Sequence, residues 1–309
     1  MFDLQGSADL LVEDPDRVVA LLVEKLGFPP PEDRWVHDRP NLGYKAVHCR
    51  VNRDVAAAPT TVEVIGPGRY DASLDAHNTA YFAMQAGRPV KTHGNVVGTA
   101  DLDDVRKRLD RRHLPYRLRE PGEHLPYPIL FPGATADPIA YDRSVDGGLF
   151  LELIALDAFR IPSLPRDPPS VAPGALVRVH ARSWIVGDLD AALVALAENI
   201  GWEPDGPVET VEERNHLRAT LRPSMDTSAA IEIVQPLSPD GDVGAFYAAY
   251  GPGPFAHCLG VYDLHTTTQA LADRRVGHRT IQGHRGRTDR VLIEADELDG
   301  LRFELTQTS

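Results

Sequence analysis

The architecture of the chain can be inferred from one stretch, SWIVGDLDAALVALAENIGW (residues 183–202). An apolar run leads to Asp188, a residue type that caps helices, and Gly201 can end a helix in the left-handed conformation. Between them, apolar residues recur at the spacing of one helix face: Leu189, Ala192, Leu193, Leu196 and Ile200. The stretch therefore predicts a strand, a tight turn and an amphipathic helix.

The same layout occurs three more times along the chain. The other copies are ADLLVEDPDRVVALLVEKLGF (8–28), NVVGTADLDDVRKRLDRRHLPY (95–116) and LGVYDLHTTTQALADRRVGH (259–278). The turn aspartates are Asp14, Asp101, Asp188 and Asp263, which lie 87, 87 and 75 residues apart. Such a period is too long for a solenoid repeat, so it predicts four copies of a unit with several elements.

Each helix is followed by strand-like runs, and the last run of each copy contains a glutamate. These last runs are TVEVIGP (61–67), LFLELIAL (149–156), AIEIVQP (230–236) and RFELTQT (302–308), with Glu63, Glu152, Glu232 and Glu304. Glycine, proline and charged residues divide each interval into about three strands. The sequence therefore predicts an α+β fold built from four βαβββ modules.

A proline-rich segment, AFRIPSLPRDPPSVAPGA (158–175), separates the second module from the third. Proline removes backbone donors and favours extended conformations, which is typical of a linker. We therefore expect an N-terminal module pair over residues 1–157 and a C-terminal module pair over residues 176–309.

The composition narrows the functional class. The net charge of −13 disfavours non-specific nucleic-acid binding, and no stretch is apolar enough to predict a membrane span. The acidic N-terminus does not resemble a signal peptide, and the two cysteines are too few for a disulfide scaffold. We expect a cytoplasmic monomer or homodimer that acts on a small molecule, with neither a nucleic-acid nor a membrane partner.

A candidate metal site lies in the C-terminal module pair. His180 stands in the first strand of the third copy and His257 in that of the fourth, and each copy ends on its glutamate, Glu232 or Glu304. If the two copies pack as a pseudo-symmetric pair, these four residues occupy equivalent positions and can converge. Two imidazoles and two carboxylates suit one divalent metal: Co, Ni, Zn, Mn or Fe.

These segments resemble the vicinal oxygen chelate superfamily over nearly the whole chain. The runs IEIVQPLSPDGDVGAFYAAYGPGPFAHCLGVYDL (231–264) and DGLRFELTQ (299–307) are similar to methylmalonyl-CoA epimerases. The resemblance implies paired modules in two domains, with His180, His257 and Glu304 as metal ligands. Glu232 stands where glyoxalase I has a glutamate. The epimerases' additional catalytic glutamate has no counterpart in RNHLRATLR (214–222), which offers His216 instead.

Two other functions within the superfamily stay open. Type I extradiol dioxygenases also have four modules, and the resemblance implies an iron triad of His180, His257 and Glu304, with His284 as a catalytic histidine. Against this, Glu294 stands where their active-site tyrosine is expected. The second alternative is a non-catalytic antibiotic-binding protein, which the intact His/Glu set and the presence of only three tryptophans disfavour.

The remaining site residues follow from strand alternation. Arg182 and Trp184 share a face with His180, and Arg302 shares one with Glu304, so we expect all three to bind substrate. In the first domain, His93, Glu63 and Glu152 lie at quartet-like positions. The place of His180 falls near Gly6, however, and His48 is the only nearby substitute. We therefore expect the first domain to be a degenerate scaffold.

The ligand set predicts a class of reaction. A divalent metal with open positions can chelate a carbonyl and a neighbouring oxygen and stabilise an enolate as a Lewis acid. A glutamate that leaves the metal, either Glu232 or Glu304, can then serve as the base. The favoured function is an isomerase, epimerase or lyase that acts through a metal-chelated enolate of a small oxygenated carbonyl compound.

Overall fold

A computed structural model of the chain describes residues 2–39, 44–52, 59–66, 85, 87–122, 126–136, 139–159, 171–282 and 288–308. Two eight-stranded mixed sheets dominate the molecule, one formed by residues up to 155 and the other by residues from 176 onward. Most of the predicted linker, residues 160–170, and His284 lie outside the described residues.

The first sheet contains two modules joined through their first strands. Its strand order is β2-β3-β4-β1-β5-β10-β7-β6, and β8 and β9 form a separate hairpin. The helices are α1 (Pro15–Leu21), which continues as a π-helical turn over Leu22–Leu26, and α2 (Leu102–Arg111). The strands are β1 (Phe2–Leu11), β2 (Val36–Arg39), β3 (Tyr44–Cys49), β4 (Thr61–Gly66), β5 (Asn95–Thr99), β6 (Tyr116–Arg119), β7 (Ile129–Pro132), β8 (Ala134–Ala136), β9 (Ile139–Tyr141) and β10 (Leu151–Ala155).

The second sheet repeats this arrangement, with strand order β12-β13-β14-β11-β15-β18-β17-β16. Its helices are α3 (Leu189–Ala195), followed by a π-helical turn over Leu196–Ile200, α4 (Gly241–Tyr250) and α5 (Leu264–Asp273). Its strands are β11 (Leu176–Ile185), β12 (Glu209–Val211), β13 (His216–Leu221), β14 (Ala230–Pro236), β15 (Gly253–Val261), β16 (His278–Gln282), β17 (Thr288–Ile293) and β18 (Phe303–Gln307). The predicted α+β fold of four paired βαβββ modules is confirmed.

The four turn aspartates cap the four module helices as predicted. In each copy the carboxylate accepts a hydrogen bond from the backbone amide three residues later; the pairs are Asp14–Arg17, Asp101–Asp104, Asp188–Ala191 and Asp263–Thr266. This satisfies one of the amides that a helix leaves unpaired at its start. Gly27 and Gly201 end the π-helical turns in the left-handed conformation, with φ of 78° and 84°.

The glutamates lie on one face of each sheet. Ile231 and Ile233 on β14 are buried in an apolar cluster with the helices, so Glu232 between them points to the other side. We call this side the glutamate face and the helix-covered side the core face. Parallel pairing sets Glu232 beside Ser183 and, in the first sheet, Glu63 beside Asp9.

The two core faces pack together and share two apolar clusters. One joins the first module to the fourth and includes Leu10, Leu22, Leu259 and Leu305. The other joins the second module to the third and includes Leu109, Leu153, Trp184 and Ile233. Trp184, which strand alternation predicts to bind substrate, is fully buried there and packs in the core.

None of the helices in the described part of the chain combines the length and the apolar character needed to cross a membrane.

Candidate metal centre

The two glutamates of the second sheet lie close together, but arginines hold them. Arg290 on β17 bridges the pair, because its Nη2 lies 2.5 Å from Glu232 Oε1 and its Nη1 lies 2.8 Å from Glu304 Oε2. Arg214 also donates to both oxygens of Glu304, at 2.9 and 2.8 Å. A bidentate guanidinium is among the strongest partners that a carboxylate finds in a protein.

These ion pairs keep both glutamates charged inside the protein. Burial by itself raises the pKa of Glu232, but Arg290 and Arg218 outweigh burial and lower it to about 2. Burial likewise opposes ionisation of Glu304, and Arg214 and Arg290 hold its pKa well below the usual range. The positive charge at this pair of carboxylates is therefore supplied by guanidinium groups of the chain.

The two predicted histidine ligands do not join these glutamates. His257 is buried on the core face, where it stacks on Phe303 with ring centroids 5.4 Å apart and stands beside Arg182 in the strand register. Burial, aided by Arg182, lowers its pKa to about 3. His180 is partly buried and senses the charge of Glu232, yet burial lowers its pKa to about 4. The structure thus brings together Glu232 and Glu304 but not the full quartet.

A small pocket in this domain is lined in part by His216, Arg218, Glu232 and Phe255. His216 is buried, and burial together with nearby arginines lowers its pKa to about 4. Arg302 donates to Asp242 at 3.1 Å and covers the ring of Phe255. Both predicted residues therefore lie near this pocket.

Acid should weaken the second domain through this network. The pKa of Glu232 is about 2 in the folded protein, against an ordinary 4.5, so the unfolded chain binds more protons between these values. The stabilisation is complete above about pH 4.5 and is lost as the pH falls through about 2. We expect Glu232 to account for a loss of about 3 kcal/mol in the free energy of unfolding between about pH 5 and pH 2. Urea unfolding of Glu232→Gln should therefore show a smaller loss over this range than that of the wild type. An equal loss in the variant would contradict the assignment.

A different cluster lies on the glutamate face of the first sheet. Asp9 on β1 stands beside Glu63 on β4, and His93 lies just before β5. One ligand atom from each of these three residues lies within 4.8 Å of the other two. In the part of the chain that the structure describes, this is the only such group of three His, Cys, Asp or Glu side chains.

The atoms of this cluster point to a common place. His93 Nδ1 and Asp9 Oδ2 are both buried and form an ion pair at 2.5 Å, and among the described residues neither atom has a further hydrogen-bond partner. The other oxygen of Asp9 accepts a hydrogen bond from Ser7 Oγ at 2.5 Å, which fixes the carboxylate. Glu152 lies 3.9 Å from His93 Nε2, on the opposite side of the imidazole.

The carboxylates of this cluster have few positively charged partners. Among the described residues, neither the Asp9 nor the Glu63 carboxylate forms an ion pair with lysine or arginine, although both are buried. Burial alone would raise the pKa of Asp9, but His93 lowers it. Burial alone would lower the pKa of His93, but Asp9, Glu152 and Glu63 raise it to about 10, so without a metal His93 carries a positive charge beside the carboxylates. Carboxylate oxygens and an imidazole nitrogen are donors that divalent metal ions use, and a bound ion would replace the proton on His93.

The first domain, which the sequence predicts to be a degenerate scaffold, thus contains a group of three ligand-type side chains. The equivalent of His180 is indeed Gly6, when both are counted from the turn aspartates, but the ligand-type residue is Asp9 three positions later. Asp9 is the counterpart of Ser183, which also lies beside the module glutamate. The missed signal was an aspartate within the apolar run ADLL, five residues before the turn aspartate. His48 lies 3.5 Å from Glu63, beside the cluster.

Comparison with known proteins identifies the fold. No protein-family model and no curated protein matches the chain. A variant of 4-hydroxymandelate synthase from Streptomyces coelicolor matches with a TM-score of 0.61 at 14% identity and covers 100% of this chain and 93% of its own. A variant of the methylmalonyl-CoA epimerase of the same organism covers 44% of this chain and 96% of its own, at 21% identity and a TM-score of 0.39. The epimerase of Mycobacterium tuberculosis covers 45% and 93%, at 20% identity and a TM-score of 0.40.

Proposed function

We propose that this chain, which has the fold of a two-domain vicinal oxygen chelate protein, is a metal-dependent isomerase, epimerase or lyase with its active site in the first domain. Its substrate would be a small oxygenated carbonyl compound. The observation that carries the proposal is the group formed by Asp9, Glu63 and His93, whose ligand atoms lie within 4.8 Å of one another. We name these three residues the acidic cluster.

The acidic cluster supports metal binding more than a purely structural role. A buried ion pair contributes to stability only when its remaining donors and acceptors are satisfied, and here Asp9 Oδ2 and His93 Nδ1 face each other at 2.5 Å without a third hydrogen-bond partner among the described residues. The equivalent glutamates of the second domain show the alternative, since arginines satisfy them. Asp9, Glu63 and His93 would hold the ion, which would act as a Lewis acid on the carbonyl group.

Glu152 is suited to move the proton. Its side chain is 12% exposed and lies 3.9 Å from His93 Nε2, so it borders the acidic cluster and keeps some contact with solvent. A carboxylate in such a place can accept a proton from the carbon next to a carbonyl. His93 would hold the ion through Nδ1 and orient Glu152 through Nε2. His48 would orient Glu63.

The composition of the cluster favours this chemistry over ring cleavage by iron. The extradiol triad has two histidines and one glutamate, whereas the acidic cluster and Glu152 together supply one histidine and three carboxylates. A ligand set rich in carboxylates is typical of harder divalent ions such as magnesium and manganese. We therefore place proton transfer ahead of oxygen chemistry.

The test is proton exchange in heavy water under anaerobic conditions. Protein loaded with manganese, cobalt, zinc or magnesium is incubated with 2-oxo acids, acyl thioesters and ketones, and deuterium uptake is followed by mass spectrometry. We expect metal-dependent uptake that falls by about 100-fold or more in Glu152→Gln, the usual effect of losing a general base. Glu304→Gln, the equivalent change in the second domain, is the comparison.

Two results would contradict the proposal. One is oxygen consumption with a catechol in the absence of proton exchange. The other is exchange that Glu304→Gln abolishes while Glu152→Gln leaves it unchanged, which would move the active site to the second domain.

A further inference from the structure

We infer that Arg182 is a positioning residue for the acidic cluster, although it belongs to the other domain. This inference rests on the proposed metal-binding role of Asp9, Glu63 and His93. Arg182 lies on β11 and is fully buried at the junction of the two sheets. Strand alternation predicts that Arg182 binds substrate. In the structure it lies on the core face and does not line the pocket formed in part by His216, Arg218 and Glu232.

The guanidinium of Arg182 links β1, at Asp9, to the segment just before β5 that carries His93. Its Nη2 donates to the backbone carbonyl of Asp9 at 2.9 Å, and its Nη1 donates to the carbonyl of Gly94, also at 2.9 Å. Gly94 follows His93 directly in the chain. One rigid side chain therefore holds the backbone at one cluster residue and next to a second.

These contacts lie beyond the end of the strand ladder. Residues of β1 and β5 pair from Phe2 with Thr99 to Ser7 with Val96, with register shifts along the way. The ladder thus stops two residues short of Asp9 and does not reach His93. The next backbone hydrogen bond between the two segments joins Leu11 N to the carbonyl of Lys91 at 3.0 Å, so in the interval between it and the ladder the spacing of Asp9 and His93 depends on side-chain contacts. Arg182 supplies a bridge between them from the core face.

The shape of the arginine side chain suits this task. A guanidinium presents several N–H donors in a fixed plane, so it can hold two carbonyls at a set separation. A lysine ammonium is a flexible point donor and sets no such separation. Partners outside the ligand shell commonly change metal affinity 10–100-fold, because they fix the orientation of the ligands.

The matched control is Arg178, which lies on the same strand. Its guanidinium donates to the Asp226 carbonyl at 2.7 Å and to Thr308 Oγ1 at 2.8 Å, and both of these partners belong to the second domain. Arg178→Met removes the same side chain from the same strand without touching β1 or β5. Arg182→Met and Arg182→Lys are compared with it in the full-length protein.

The first measurement is manganese affinity by competition with a chelator, together with the visible spectrum of bound cobalt. We expect affinity to fall about 10–100-fold in Arg182→Met, and the cobalt spectrum to change in both Arg182 variants. Arg178→Met should leave affinity and spectrum unchanged. Wild-type affinity and an unchanged spectrum in Arg182→Met would overturn the inference and leave the proposed function standing.

The second measurement needs no metal. Backbone hydrogen exchange in the chelator-treated protein should quicken around Asp9 and Gly94 in Arg182→Met but not in Arg178→Met. If the wild-type protein binds no metal, the proposed function fails, and this exchange alone decides whether Arg182 orders these strands. If Arg182→Met does not fold, Arg182→Lys decides by the same measurements, and unchanged exchange at both places would overturn the inference.

Discussion

The variant His93→Ala should lose at least about 100-fold in affinity for divalent metal, while His257→Ala should bind one metal per chain as the wild type does. Changes outside the ligand shell already cost 10–100-fold, so the loss of a direct imidazole ligand should exceed them. His93 lies 2.5 Å from Asp9 on the glutamate face, whereas His257 is buried on the core face against Phe303. Metal content after dialysis and competition titration measure both variants.

The comparison is informative because the resemblance to the epimerases points to the opposite outcome. The resemblance implies that His257 is a metal ligand and that the metal site lies in the second domain. Full metal occupancy in His93→Ala, with loss in His257→Ala, would return the site to the second domain. Circular dichroism of both metal-free variants would show whether either result merely reflects misfolding.

The variant Arg290→Met should lower the free energy of unfolding by about 3–5 kcal/mol, the usual cost of removing one partner from a buried ion pair. Arg290 is 6% exposed and bridges Glu232 and Glu304, whose carboxylates have little access to water. Removing the bridge leaves two negative charges close together, with Arg214 and Arg218 as their remaining guanidinium partners. Urea unfolding followed by fluorescence measures the change.

A surface arginine provides the control. Arg222 pairs with Asp205 where both side chains are exposed, so Arg222→Met should cost less than about 1 kcal/mol. Similar losses in the two variants would mean that the Arg290 bridge contributes no more than an ordinary surface ion pair. The double variant Arg290→Met with Glu232→Gln should recover part of the loss, because it removes one of the two buried negative charges.

The sequence predicted the fold well because its signals are local. Each turn aspartate precedes an apolar periodic helix, and all four cap their helices in the structure. The strand glutamates were also predicted as a set, since alternation within an apolar run fixes the face of a side chain once the core is known. Glu63 and Glu232 do lie on equivalent faces of the two sheets.

The site was less predictable because it depends on strand register and on partners distant in sequence. The ladder between β11 and β15 shifts at Val179 and Ala181, and one shifted residue changes which side chains share a face. In addition, β15 pairs with β18 so that Cys258 stands beside Glu304, while His257 stands beside Phe303 on the core face. The arginine that neutralises Glu304 most fully, Arg214, comes 90 residues earlier in the chain. No spacing rule connects those two positions.

The shared apolar clusters have a consequence for synthesis of the chain. The first module is buried against the fourth, and the second against the third. A ribosome releases the modules in order. The helix α1 can pack early on β3 and β4 of its own module, but the part of this cluster that faces the fourth module stays uncovered until the last strands have emerged. Contacts between such distant segments form slowly and leave hydrophobic surface open to chaperones and to aggregation in the meantime. The apolar surface that the first half shares with the second can therefore be buried only after the second half has been synthesised.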